Sequence, residues 1–354
     1  MLKPIYLWDP NRQSTFDDIE KNISEVTGLV ILGPVEGSIQ MIPYEERLRI
    51  RDISYNYKKP LYIIVSGHER NPNIIDPDYR WQYTQVIRWP LFWLTNTIVR
   101  MATNQNNTYN KEVNCDIFSN TPNFPDNFDY TFICLSKRPK LHRLILLDKL
   151  SKFNLIKNNA IAYREFFNSD SYTPEHWIQT ELFLDQEKDF FVQEKMPSQY
   201  HKSFMQIVPE TDHDVFFLTE KTTVPMLFYK PFLVAGCRNY HKLLSEFGFQ
   251  LYDELFDYGF DKLDSMKDRY EAMVQNLVKY NNCSKHELIK YSKLVKDKLI
   301  YNRNLAIKLA CDSSLFPDEW NYFASNKMPT IHLSPYDINL QAKEFYTKVF
   351  EGTN

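Results

Sequence analysis

Glycine is scarce here: eight in 354 residues. A dinucleotide fingerprint or a P-loop needs glycines at fixed offsets so that backbone can approach phosphate, and neither pattern occurs. His-Glu-x-x-His and Gly-x-Ser-x-Gly are also missing, which removes the commonest zinc-protease and α/β-hydrolase readings. The five cysteines, Cys115, Cys134, Cys237, Cys283 and Cys311, are odd in number and scattered, with no Cys-x-x-Cys. That argues against a disulfide framework and a zinc site, and suits a reducing, cytoplasmic setting. No window of 18 apolar residues exists, and the opening MLKPIYLWDPN has no apolar signal-peptide core. Neither a membrane span nor secretion by that route is expected. A formal net charge of −3 advertises no nucleic acid overall, although a local basic patch could still bind phosphate.

What is present suits a globular α/β protein. Hydrophobic residues make up 43% and charged residues 25%, ordinary values for a chain with a sizeable core. The length fits two domains better than one. Aromatics are high at 15%; most serve the core, and some could wall a sugar or base ring. The richness in Asn, Lys, Ile and Tyr suits an AT-rich genome, such as that of a virus or phage.

Short apolar runs at Ile5–Trp8, Leu29–Leu32, Leu61–Val65 and Val86–Trp89 alternate with amphipathic stretches near Phe16–Val26, Tyr44–Tyr55 and Leu91–Met101. Strands alternating with helices predict parallel βαβ units. The Asn- and Pro-rich stretch Asn104–Asp129 reads as a linker. The pattern then restarts: a strand at Tyr130–Leu135, a helix at Lys140–Phe153 mixing core and surface, and a possible strand at Ile161–Tyr163. Further strands are expected at Phe204–Val208 and Phe232–Ala235, a helix at Thr219–Tyr229, mostly helix over Tyr240–Cys311, and a last helix near Ile338–Phe350. The expected domains are 1–125, joined by the C-terminal helix within 336–354, and 126–335.

The segment Ser203–Gly236, SFMQIVPETDHDVFFLTEKTTVPMLFYKPFLVAG, carries the most chemistry. A strand ends at Val208-Pro209, and Glu210 and Thr211 then project at its carboxyl end, where open α/β sheets bind ligands. Thr219-Glu220-Lys221-Thr222 opens the next helix. Its free N–H groups and positive dipole end suit a diphosphate. Thr219 can cap, Lys221 adds a charge, and Glu220 can accept hydroxyls of ribose or sugar. An ordinary capped surface helix would show the same local pattern. In YTFICLSKRPKLHR, Tyr130–Arg143, a strand leads through Ser136 into a basic loop with Lys137 and Arg138, then a helix beginning near Arg143. Cations oppose the dipole at a helix start, so a bidentate guanidinium there points to a phosphate. His142 is open between ring packing and a ligand contact.

These two segments resemble the donor-binding signature of the fucosyltransferase-like group of GT-B glycosyltransferases. That family has a strand ending in Glu-Asn-Ser, a short loop, Tyr-x-Thr-Glu-Lys, a helix, and a strand ending in Gly. This chain has Glu210-Thr211-Asp212, then Phe217-Leu218-Thr219-Glu220-Lys221, then Pro231–Gly236. It departs from the family where Thr211-Asp212 replaces Asn-Ser. The resemblance spans about Tyr130–Gly259 and does not extend into the first third. It implies an α/β GT-B fold, two Rossmann-like domains facing across a cleft. The second domain would bind a GDP- or UDP-linked sugar, with Arg143 clamping its diphosphate, and transfer would be inverting. The acceptor would be a glycan or another hydroxyl, bound by the first domain.

Asp76-Pro77-Asp78 and Asp212-His213-Asp214 both match the Asp-x-Asp of metal-dependent glycosyltransferases. Neither is expected in the strand-end context that such chemistry requires, so no metal or other cofactor is expected. The base should come from the N-terminal domain as a carboxylate near the acceptor hydroxyl. Glu36 in Gly33–Gly37 and Glu69 in Ser66–Arg70 both follow apolar runs and are the two candidates. Two rivals stand beside this reading. One is a phage enzyme that glycosylates hydroxymethylated DNA bases, using Arg47, Arg49, Arg51, Lys58, Lys59, Arg70 and Arg80 as a basic face. The other is a non-catalytic sugar- or nucleotide-binding protein on the same fold.

Overall fold

The short apolar runs of the first third, rich in β-branched and aromatic residues, form strands, as their composition favours. The computed structural model describes residues 6–8, 29–32, 44–58, 61–65, 80, 82–88, 91, 94, 97–98, 124–125, 127–136, 140–157, 159–163 and 198–311. The chain divides into two compact units: Met1–Val99 with Val215–Leu218 and Leu309–Asn354, and Arg100–Asp214 with Thr219–Lys308.

In the first unit, β1 (Tyr6–Trp8), β2 (Leu29–Leu32), β3 (Leu61–Val65) and β4 (Thr84–Arg88) form a parallel sheet in the order β1-β2-β3-β4. The helix α1 (Tyr44–Tyr57) connects β2 to β3 in sequence and buries Ile50 and Ile53. β4 begins two residues earlier than its apolar run. Polar Thr84 and Gln85 pair with Leu61 and Tyr62 of β3 because the ladder is made by backbone, whatever the side chains. Arg51 is buried, and Arg51 and Arg80 both bind Asp52, at 2.8 and 3.1 Å. Two arginines of the possible DNA-facing surface are therefore already engaged by a carboxylate.

In the second unit, β5 (Tyr130–Ser136), β6 (Ala160–Tyr163), β7 (Ser203–Pro209) and β8 (Phe232–Ala235) form a second parallel sheet in the order β6-β5-β7-β8. Strands β7 and β8 are buried along their whole length, as expected where helices cover both faces of a parallel sheet. Seven residues of β7 thus read SFMQIVP, a near-continuous apolar run rather than an alternating one. From β5 the chain goes outward to β6, then crosses back to place β7 on the other side of β5. The strand order therefore reverses between β5 and β7. Ligands of open α/β sheets bind in the crevice at the carboxyl ends of such a pair.

Among the described residues, six α-helices accompany this sheet: α2 (Leu141–Lys152), α3 (Glu220–Leu227), α4 (Tyr240–Glu246), α5 (Met266–Asn281), α6 (Lys285–Leu294) and α7 (Lys296–Cys311), the last running three residues past the unit's end at Lys308. Helix α5 buries Tyr270, Met273, Val274, Leu277 and Tyr280, the one-faced spacing of an amphipathic helix. It packs on α2. Helix α2 is buried from His142 to Leu150, including Asp148 and Lys149. It does not mix core and surface as its sequence suggests, because it is covered on more than one side. Helices α5 and α6 start on serine caps, and α6 has a complete Ser284–Glu287 capping box. Helix α2 has no side-chain cap; the Arg143 and Leu144 N–H groups both donate to the Lys140 carbonyl, at 2.9 and 3.0 Å. Among the described residues, no helix is long and apolar enough to cross a membrane. The expected helices at Phe16–Val26 and Ile338–Phe350 lie outside the described residues.

Candidate functional site

Glu210 follows the last residue of β7, and its N–H donates to the Ala235 carbonyl of β8 at 3.2 Å. A strand-end carboxylate could point outward to a ligand; this one is turned inward and has no exposed surface. Its Oε2 accepts from the Thr211 N–H at 2.8 Å and the Thr219 hydroxyl at 2.7 Å. Its Oε1 accepts from the Thr219 N–H at 3.1 Å, the Thr222 hydroxyl at 2.7 Å and the Tyr240 hydroxyl at 3.3 Å. A buried acceptor of this kind is tolerable only when donors surround it. Five do. They close the loop 210–219 on itself and pin the start of α3, whose cap, Thr219, accepts from the Lys221 N–H at 3.2 Å.

Tyr240 reaches Glu210 because Gly236 lets it. A Cβ at position 236 would stand 2.7 Å from Tyr240 Cδ2, closer than any ordinary carbon contact. Burial, and then the Glu210 charge, raise the Tyr240 phenol well above its ordinary value. It stays protonated and donates.

The main chain of Glu210-Thr211 collects cations. The Glu210 carbonyl accepts from Arg143 Nη2 at 3.3 Å and contacts His142 Nε2 at 2.9 Å. A carbonyl only accepts, so His142 carries its proton on Nε2. Burial pushes the His142 imidazole down to about 3, overcoming the carbonyl bond, with the Arg143 charge adding to the shift. The ring is neutral and stacks on His213 with centroids 4.9 Å apart. The Thr211 carbonyl accepts from Lys140 Nζ at 3.0 Å, and the Thr211 hydroxyl from Lys221 Nζ at 2.9 Å. Lys221 also pairs with Glu220 at 2.7 Å. Burial works to raise the Glu220 carboxyl, but the Lys221 ammonium and local hydrogen bonds outweigh it, and the group is held below its ordinary value. Lys140, Arg143 and Lys221 thus converge on one dipeptide from the starts of two helices at the reversal of strand order.

Of the residues singled out from sequence, Arg143, Glu210, Thr211, Thr219, Glu220, Lys221 and Thr222 come together here. Glu210, Thr219 and Thr222 spend their polar atoms on one another and act as framework. Glu220 and Lys221 keep about a fifth of their side chains exposed, 23% and 20%. Ser136 ends β5 on the other side of the crevice, 5% exposed, and its hydroxyl has no hydrogen-bond partner among the described residues. Lys137, Arg138, Glu36, Glu69 and the pair Asp76–Asp78 lie outside the described residues. No family model, curated protein or solved structure matches this chain.

Sequence reasoning missed Tyr240 and Lys140. The close pairing of Gly236 with an aromatic four residues later was the available signal for Tyr240. The second Asp-x-Asp begins three residues beyond β7. Asp212 Oδ1 accepts from the Asp214 N–H at 2.8 Å, and ligand atoms of Asp212, His213 and Asp214 lie within 4.8 Å of one another. If any described group held a divalent cation at this crevice, its oxygen and imidazole ligands would be these.

Proposed function

We propose that the second unit binds the diphosphate of a nucleotide-activated sugar, and that the chain is a glycosyltransferase of GT-B arrangement, moving that sugar to a glycan or other hydroxyl acceptor. The observation that carries this reading is the convergence of Lys140, Arg143 and Lys221 on Glu210-Thr211 where the strand order reverses. A diphosphate needs paired cations and free N–H groups at short range. This crevice gathers three cations, and two helices start beside them.

The chemistry follows from charge. As the anomeric carbon–oxygen bond breaks, negative charge grows on the departing diphosphate, and preformed cations and a helix start stabilise it without reorganisation. Arg143 and Lys221 take that role, with Thr219 and Thr222 fixing the helix start. Glu220, beside Lys221, suits ribose or sugar hydroxyls. The acceptor hydroxyl loses its proton to a carboxylate, with Glu36 and Glu69 the two candidates, and the sugar inverts in a single displacement. The charge of the leaving group is met by side chains, so no metal is required. The donor class is tested by thermal unfolding with GDP- and UDP-linked sugars, since a ligand of the folded state raises the midpoint. Slow hydrolysis of the stabilising sugar nucleotide by the purified protein supports an enzyme. Stabilisation without any turnover on acceptor or water supports a non-catalytic binding protein.

A further inference from the structure

At the opposite end of the same sheet the second unit buries another cation. Lys230, two residues before β8, is 5% exposed. Its ammonium donates to the carbonyl of Ser203, the first residue of β7, and stands 4.9 Å over the Tyr200 ring. Buried ammonium ions need a counter-charge or lose their proton; burial alone pushes the Lys230 amine down to about 7.

Lys230 lines a cavity of about 40 Å³, together with His201, Phe128, Phe204, Leu227 and Phe228. The Nε2 of His201 is buried and has no hydrogen-bond partner among the described residues. Burial, and then the Lys230 charge, push that imidazole down to about 4. Further cations lie behind the lining ring of Tyr229. Arg303 of α7 lies 5.2 Å over the Tyr229 ring, Tyr229 packs on Phe124 at 5.4 Å, and Lys296 stands 5.4 Å over Phe124. From α6 comes the neutral Ser292, and among the described residues no acidic side chain lines the space. Space on this scale admits a few water-sized groups, too little for a nucleotide.

We infer that this cavity binds a small monovalent anion, a halide or a single carboxylate, between the Lys230 ammonium and the Nε2–H of neutral His201. The anion supplies a counter-charge that no described residue lining the cavity provides, and its binding holds the proton on Lys230. The site is separate from the crevice at Glu210: the six residue steps from Ser203 to Pro209 span roughly 20 Å of extended strand.

The test is thermal unfolding of the full chain in sodium formate or sodium chloride, with ionic strength held constant by gluconate, which is too large for the cavity. The expected result is a saturable rise in midpoint with formate and chloride over gluconate. Because the ammonium must be protonated to hold the anion, apparent affinity should fall about 30-fold between roughly pH 6 and pH 8.5. Lys230→Met, which keeps length and burial, should abolish the rise, and His201→Phe should weaken it. A wild-type midpoint that follows gluconate overturns the inference. So does an equal formate response in Lys230→Met.

Discussion

Glu210→Gln is the sharpest probe of how the crevice is held together. The amide keeps the size of the carboxylate but replaces one acceptor oxygen by a donor. Placed at Oε1, the new NH₂ faces the Thr219 N–H; placed at Oε2, it faces the Thr211 N–H. The hydroxyls of Thr219, Thr222 and Tyr240 can rotate and accept, but a backbone N–H cannot. Either orientation leaves one buried N–H without an acceptor, costing about 1–3 kcal/mol, and the surviving bonds lose their charge assistance. The total is about 2–4 kcal/mol, felt locally where the five bonds converge. Hydrogen exchange read by mass spectrometry over Thr219–Leu227 should speed up about 30- to 1,000-fold. Amides of Leu61–Val65 in the first unit serve as the unchanged control. Exchange within threefold of wild type over Thr219–Leu227 would refute the idea that the Glu210 carboxylate pins this helix.

Gly236→Ala should push the Tyr240 ring off Glu210 and cost about 1–3 kcal/mol by overpacking; in a Tyr240→Ala background most of that cost should vanish, which a double-mutant cycle checks. The His142 imidazole is depressed in the folded state, so the unfolded chain binds more protons between about pH 3 and 6.5, and stability falls as pH drops through that window. His142→Gln should reduce the acid-side slope of unfolding free energy by about 1.4 kcal/mol per pH unit between roughly pH 4 and 6, measured by denaturant titration; an unchanged slope would mean the ring is not held neutral. For the base, Glu36→Gln and Glu69→Gln should be made singly. One of them should lose about 10²-fold in turnover with sugar-nucleotide affinity intact, and wild-type rates in both would move the base elsewhere.

Strands were legible where the sequence carries an unbroken apolar run: Leu29–Leu32, Leu61–Val65 and Phe232–Ala235 form with the expected bounds. Thr84 and Gln85 were not, because backbone pairing asks nothing of their side chains. The cap at Thr219 was readable from a local pattern. The inward turn of Glu210 was not: it depends on Tyr240, thirty residues on, and on whether a Cβ stands at position 236. The same holds for Arg143, whose position at a helix start is visible in sequence while its partner, the Glu210 carbonyl, lies 67 residues away. Local chemistry can be read from a chain; which way a polar side chain turns is decided by contacts that are distant in sequence.

The central claim is that Arg143 and Lys221 hold the diphosphate of an activated sugar. Calorimetric titration of the wild type, Arg143→Lys and Lys221→Ala with the best stabilising GDP- or UDP-sugar tests it most directly. Arg143→Lys keeps the charge and removes the two-pronged fork; Lys221→Ala removes a charge that is partly exposed. The account predicts binding by the wild type and at least about tenfold weaker affinity in each variant, equivalent to about 1.4 kcal/mol. Unchanged affinity in both folded variants would contradict it.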